Sequence, residues 1–328
     1  MKQTFLSIWI FTWILFGCTS CEMETKQSTK TTPPAKVELP KVTFNADSTY
    51  HFVQKQVDFG PRTPGSSAHK ACADWLEATL KDFGAEVIVQ ESKVSAALGG
   101  IVPMYNIIGA FNPMASKRIL LTAHWDTRLV ADQDDEEGKQ KDPIDGANDG
   151  GSGVAILLEI ARQLSLNPLQ NIGVDILLLD VEDQGLSETE DTYCLGAQYW
   201  AQNLHKPNYT AEFGILLDMV GAGDAVFFQE YYSLQYAPHV VKKVWDVAAQ
   251  KGYSSYFTNK NGGGVTDDHY YINKFAKIPT IDIIHHSPQG FGKFWHTHND
   301  NMKVINKNTL KVVGDVVLTV VRMEDLVL

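Results

Sequence analysis

Cysteine is scarce in this chain, with four residues in 328, at Cys18, Cys21, Cys72 and Cys194. Beyond the N-terminal segment only Cys72 and Cys194 remain, enough for one bridge and not for a disulfide framework. Cys72 sits in an apolar helical stretch and reads as a buried free thiol. Positive charge is also short: 28 Lys and Arg stand against 39 Asp and Glu, a net charge of −11. That balance argues against nucleic acid as a partner, because binding phosphates wants a basic surface. Much of the acidic excess lies in Asp132 to Asp142, which reads as a solvated loop. No segment after the N-terminal region is apolar enough to span a bilayer, and no internal repeat is visible.

What is present begins with a leader. Lys2 gives a short positive start, Phe5 to Phe16 is a run of mostly apolar residues, and Leu15-Phe16-Gly17-Cys18 closes it. The run is too short to span a membrane and has the layout of a secretory signal over residues 1–18. A small residue followed by Cys resembles a bacterial lipoprotein signal, in which Cys18 carries the lipid; cleavage without lipid is the alternative. Residues 19–44 are rich in Thr, Lys, Glu and Pro without apolar periodicity, as in a disordered tether. Residues 45–328 have the length of one catalytic domain. The expected location is therefore exported and periplasmic, anchored through lipid on Cys18.

Apolar residues at helical spacing predict a helix over Ser66–Phe83, with Ser66 or Ser67 capping it and Gly84 ending it. Strands are expected at Glu86–Gln90, Tyr105–Ala110, Arg118–Ala123, Val174–Leu179, Phe213–Leu217 and Thr280–Ile284. Helices are expected at Gly153–Leu164, Gly196–Asn203, His239–Ala249 and Leu310–Leu326. The alternation implies a three-layer α/β sandwich around a mixed, mostly parallel sheet.

Five segments place metal-type ligands at or just after predicted strand ends: His124-Trp125-Asp126, Asn148-Asp149-Gly150, Glu182-Asp183, Leu217-Asp218 and Trp295-His296-Thr297. Open parallel sheets build their sites at strand carboxyl ends, and converging carboxylates and imidazoles suit Zn²⁺. Alone, Asp149 would be an Asn/Asp/Gly turn with a helix cap, Glu182-Asp183 an acidic helix start, and His296 a structural histidine. Together they read as a zinc enzyme. Glu182 and Asp183 are adjacent and point different ways, so one can bind metal while the other does acid–base work.

The order His-x-Asp, Asn-Asp-Gly-Gly-Ser-Gly, Glu-Asp, Leu-Asp, His-Thr-x-x-Asp resembles the zinc aminopeptidase fold of peptidase family M28. Within it the chain looks most like the animal-type glutaminyl cyclases, which include bacterial secreted enzymes. That likeness rests on Arg62-Thr63-Pro64-Gly65-Ser66, on Gly263-Gly264-Val265-Thr266-Asp267-Asp268-His269, and on Phe294-Trp295-His296-Thr297 with Asp300-Asn301. The resemblance implies one Zn²⁺ on Asp149, Asp183 and His296, and a peptide substrate with N-terminal Gln, converted to pyroglutamate with release of ammonia. It implies Glu182 as proton shuttle, Asp218 and Asp267 as a hydrogen-bonded acidic pair beside it, and Trp295, Asp268 and His269 at the substrate.

The chain departs from the cyclase pattern twice. Asp183 stands where a second Glu is usual, and Gly185-Leu186-Ser187-Glu188 offers no pocket tryptophan. The rival reading is a two-zinc aminopeptidase, with His124 and Asp218 as further ligands; aminopeptidases tend to have a small polar residue where Asp267 stands. A non-catalytic lipoprotein that binds peptide termini is a third class, against which the intact Glu182 speaks.

Overall fold

Strand alternation is erased where both faces of a sheet are buried, and the central strands here are apolar on both sides for that reason. The computed structural model describes residues 38–326; the expected signal and residues 19–37 of the tether lie outside them. The packed unit starts at Leu39, with Leu39, Val42 and Phe44 already against the core. No helix among the described residues is long and apolar enough to cross a membrane.

The elements run α1 (Ala46–Val57), α2 (Ser67–Asp82), β1 (Glu86–Ala96), β2 (Gly100–Phe111), β3 (Arg118–His124), α3 (Gly151–Leu166), β4 (Gly173–Leu179), α4 (Leu195–Gln202), β5 (Phe213–Asp218), β6 (Phe227–Gln229), α5 (Tyr231–Tyr236), α6 (Pro238–Gln250), β7 (Phe257–Asn261), α7 (Asp268–Tyr271), β8 (Thr280–Ile284) and α8 (Lys307–Leu326). Six strands form the main sheet in the order β1-β2-β4-β3-β5-β8. β1, β2 and β4 pair antiparallel, while β4, β3, β5 and β8 are mutually parallel. The mixed, mostly parallel three-layer reading therefore holds.

The two faces divide by residue parity, as the period of two requires. Ile119, Leu121 and Ala123 of β3, and Val174, Ile176 and Leu178 of β4, enter one core with α1, α2, α3, α6 and α8. Leu120, Leu177 and Leu179 enter the other, with Cys194, Ala197 and Trp200 around α4. Cys72 and Cys194 are both buried free thiols. Ser66 is the cap of α2, its side chain accepting from the His69 amide at 3.0 Å.

Helix α1 has no counterpart in the sequence reading. Its buried positions are Thr49, Val53 and Gln56, two of them polar, so its apolar period is faint. Gln56 is buried because its amide donates to the Gly151 carbonyl at 2.9 Å, tying α1 to the start of α3. The short elements β6, α5, β7 and α7 were also not foreseen. β1 and β2 run further than expected, into a hairpin whose outer residues are part-exposed.

A buried ion pair closes the sheet's far end. Arg118 donates to Asp175 at 2.5 and 2.7 Å, and also to the carbonyls of Asn112 and Ala115 in the turn before β3. Tyr209 adds a hydroxyl to the same carboxylate at 2.8 Å. Removing one partner leaves the other charge buried, so Arg118→Met should cost about 3–5 kcal/mol. Urea unfolding measures this; a loss below about 1 kcal/mol would show that Tyr209 alone satisfies Asp175.

Candidate active site

Parallel strands present their carboxyl ends on one edge of a sheet. His124 ends β3, Asp180 to Asp183 follow β4, Asp218 ends β5, and His296 lies in the loop after β8. Asp149 arrives from the other direction, just before α3. Gly150 makes that approach possible: its φ is +81°, and a Cβ there would meet the Asp126 carbonyl at 2.7 Å and the His124 ring at 3.1 Å. Further along α3, a Cβ on Gly153 would lie 2.1 Å from the Leu217 carbonyl, so only glycine lets the helix rest on β5.

These residues converge on a cavity of about 270 Å³ lined by Asp149, Glu182, Asp183, Asp218, Asp267, Trp295 and His296 among others. Ligand atoms of Asp149, Asp183 and His296 lie within 4.8 Å of one another, all buried. His296 Nε2 is 3.0 Å from Asp183 and 3.8 Å from Asp149, while its Nδ1 is 3.3 Å from Asp132. One nitrogen faces the carboxylate pair and the other a second-layer carboxylate, the usual arrangement around a metal-bound histidine. Two buried carboxylates and one imidazole, with an open side to the cavity, fit a cation of zinc type. A second set also lies within that distance: His124 Nε2 is 3.1 Å from Asp149 and 3.2 Å from Asp218.

The supporting layer is dense. Asp126 accepts from the amides of Glu182 (2.9 Å) and Asp183 (3.3 Å) and from the Gln184 side chain (3.1 Å), fixing the turn that carries both carboxylates. Asp300 accepts from the amides of Asn148 and Asp149 at 2.8 and 2.9 Å. Burial, helped by the Asp149 charge, pushes the Asp300 carboxyl up to about 8 despite those amides. Arg128 donates to the carbonyls of Asp183 and Gly185 and to Asp132. Arg62 donates to the carbonyls of Trp125, Asp145 and Gly146, joining the loops before and after the acidic segment.

Asp132 to Asp142 is therefore not wholly a solvated loop. Its first part is drawn into the site, where Asp132 meets Arg128 and His296 and Asp134 bonds His298 Nδ1 at 2.8 Å. Residues 135–139 are exposed.

Glu182 lines the cavity, and burial raises its carboxyl well above the ordinary range. Asp183, Asp267 and Asp268 add to that shift, and His124 opposes it. A carboxyl raised from its ordinary range is suited to passing a proton at a reacting group. Burial, with Asp149 and Asp267 nearby, raises Asp218 to about 7 against the His124 hydrogen bond.

Asp218 Oδ1 lies 3.2 Å from His124 Nε2 and its carboxyl also feels the Asp267 charge, while Asp267 sits with His269 and Asp282 within 4.8 Å. One expectation needs correction. Asp268 and His269 do not line the cavity. Both are fully buried behind Asp267, and His269 Nε2 is 3.0 Å from Glu230. They sit in α7, whose N-cap is Asp267, so only the cap residue reaches the cavity.

Sequence reasoning missed the walls. Tyr193, His286 and Phe291 line the cavity with Trp295, and Phe291 lies 4.5 Å from the Trp295 ring. Tyr193 and Phe291 thus give the cavity aromatic surface that Gly185-Leu186-Ser187-Glu188 does not. Scattered aromatics in loops have no period, and nothing in the chain order marks them.

With this geometry in view, the comparisons with known proteins are decisive for family. The model of peptidase family M28 matches residues 106–321. The chain belongs to this family. It is 50% identical to the glutaminyl cyclase of Porphyromonas gingivalis, over 86% of this chain and 99% of that one, with a TM-score of 0.84. It is 51% identical to a Zn-dependent exopeptidase from Parabacteroides distasonis, over 84% and 97%, with a TM-score of 0.82. The glutaminyl-peptide cyclotransferase of Gloydius blomhoffii is 26% identical over 281 residues, 76% of this chain and 73% of its own. This M28 chain therefore resembles both solved cyclases and a solved protein described as an exopeptidase.

Glu230 holds one wall of the cavity. It accepts from the amides of Tyr232 and Ser233 at the start of α5, and from Val265 at 3.1 Å on the cavity rim. Burial pushes its carboxyl up, but the His269 hydrogen bond and charge and those amides outweigh it and hold it at about 2. A depressed carboxyl stabilises the fold above its ordinary value of 4.5, and that contribution is lost as pH falls towards 2. Glu230→Gln should melt below the parent at pH 6, with the gap closing as pH falls from about 4.5 to about 2. An unchanged gap across that window would remove the ionised carboxylate as its cause.

Proposed function

We propose that this chain is a zinc-dependent glutaminyl-peptide cyclotransferase, acting on peptides or exported proteins with N-terminal Gln. The observation that carries the reading is that Glu182 and the Asp149–Asp183–His296 set face one small cavity walled by Trp295, Phe291 and Tyr193. The high identity to a bacterial glutaminyl cyclase over nearly its full length supports it. A single Zn²⁺ held by Asp149, Asp183 and His296 would supply Lewis-acid polarisation of the substrate γ-carbonyl.

The chain's own residues do the rest. Glu182 takes a proton from the substrate α-amine as its nitrogen attacks the carbonyl carbon of the Gln side-chain amide (Cδ). It then returns that proton to the leaving amide nitrogen, so the C–N bond breaks and ammonia departs, leaving a pyroglutamyl peptide. Asp267, close to Glu182, keeps an acidic surface there that favours the positive charge developing on the attacking amine. Trp295, stacked on His296 at 3.8 Å, and Phe291 exclude water from the side-chain pocket. Residues 39–328 make up the catalytic domain in this reading. The Phe5–Phe16 run and Gly17-Cys18 support export to the periplasm with lipid on Cys18.

A two-zinc aminopeptidase is the second reading, favoured by the His124–Asp149–Asp218 set and by the exopeptidase description of one neighbour. Incubation with Gln-Phe and Leu-Phe separates the two. The cyclase releases ammonia from Gln-Phe and phenylalanine from neither; phenylalanine without ammonia makes His124 and Asp218 metal ligands. Glu182→Gln should keep its zinc and its fold and lose about 100-fold or more in kcat. His124→Ala should retain one zinc equivalent; loss of a second equivalent together with activity would point to the peptidase.

A further inference from the structure

Cys194 has no part in the reaction as written, yet its Sγ lies 3.3 Å from Glu182 Oε1. We propose that Cys194 is a positioning residue: its S–H donates to Oε1 and fixes the Glu182 carboxyl, leaving the other oxygen for the substrate proton. The proposal rests on the cyclotransferase reading for the identity of that proton.

The backbone is built around this contact. Cys194 N–H donates to the Glu182 carbonyl at 2.8 Å, and Leu195 N–H to the Val181 carbonyl at 3.0 Å. Cys194 is left-handed, with φ +57° and ψ +34°, and so is Val181 with φ +54°. Non-glycine residues pay to adopt that region, and two doing so across one pair of hydrogen bonds shows a turn held in place by its surroundings. Glu182 has three side-chain torsions, and its backbone anchorage by Asp126 does not by itself set them. The thiol hydrogen-bonds one oxygen of the carboxyl end, while His124 Nδ1 lies 4.0 Å from the other.

The choice of sulfur suits the location. Cys194 is fully buried in an apolar cluster with Leu177, Leu179, Trp200 and Tyr271 beneath the site. A thiol is cheaper to bury there than a hydroxyl and still donates weakly. Burial and the Glu182 charge push its pKa well up, so the proton stays on sulfur. Glu182, Cys194 and Asp267 lie close enough to surround a cation, but a protonated thiol is no metal ligand.

The test uses the zinc-loaded protein with Gln-Phe. Ammonia release by the parent checks the cyclotransferase reading separately; should the parent release phenylalanine instead, the same comparisons are scored on that product. Cys194→Ala should lower kcat about tenfold while KM stays within about twofold and zinc content is unchanged. Cys194→Ser, which keeps a donor, should recover kcat to within about threefold of the parent. In a Glu182→Gln background Cys194→Ala should cost no further kcat, because the residue acts only through that carboxyl. The proposal is overturned by a kcat of Cys194→Ala within about twofold of the parent, by a Ser variant as impaired as Ala at equal zinc content, or by an undiminished tenfold loss in the Glu182→Gln background.

Discussion

Crowded negative charge is the constraint around which this molecule is built. Asp126, Asp149, Glu182, Asp183, Asp218 and Asp267 meet at the carboxyl ends of three parallel strands, all mostly out of water. Two like charges about 4 Å apart repel by about 4 kcal/mol even at an effective dielectric of 20. The chain meets this in several ways. Amides of Glu182 and Asp183 and the Gln184 side chain solvate Asp126. The Asp268 amide donates to Asp267 Oδ1. Arg128 braces the Asp183 turn from behind. Asp149 and Asp183 keep oxygens facing His296 and the cavity, where the proposed cation adds the missing positive charge.

Holding those groups together also costs backbone conformation. Val181 precedes Glu182, Met219 follows Asp218, and His296 is itself a proposed ligand; all three have positive φ without being glycine. Each such residue costs on the order of 1–3 kcal/mol, and it persists only where its surroundings overdetermine it. The surroundings here are specific. His69 bonds Asp180 at 2.9 Å and stacks on Trp125, while Asp180 accepts from the Tyr105 and Val181 amides. Strain at the site is thus supported from α2 and β2, which contribute no residue to the cavity.

That distribution explains what could be read from the chain. The strands were legible because β3, β4 and β5 are buried on both faces and read as unbroken apolar runs. The five ligand-bearing segments were legible because topology puts strand ends on one edge, whatever the loops do. Helix α1 was not, since Gln56 is buried for its hydrogen bond and not for its hydrophobicity. Nor was the closeness of Asp282 to Asp267, since Asp282 stands in the middle of the apolar strand β8. Asp268 and His269 do not line the cavity because, one and two residues past the cap, they turn about 100° and 200° round α7 from Asp267. The aromatic walls lie on loops, where fold and not period decides what faces the cavity.

The same electrostatics bears on how many cations the site holds. His124 Nε2 sits about equally far from Asp149 and Asp218, a geometry that a proton or a second metal ion would satisfy alike. Burial first, then the Asp149 charge and then that of Asp267, raise the Asp218 carboxyl to about 7 against the His124 hydrogen bond. A proton held there competes with a metal ion for the same oxygen, and the pair titrates as a unit. A small polar residue at position 267 would remove one contribution to that competition, leaving burial and Asp149. In the proposed cyclotransferase the Asp267 side chain, on the cap of a four-residue helix, would weigh towards a single cation, and with it towards attack by the substrate's own amine over attack by water.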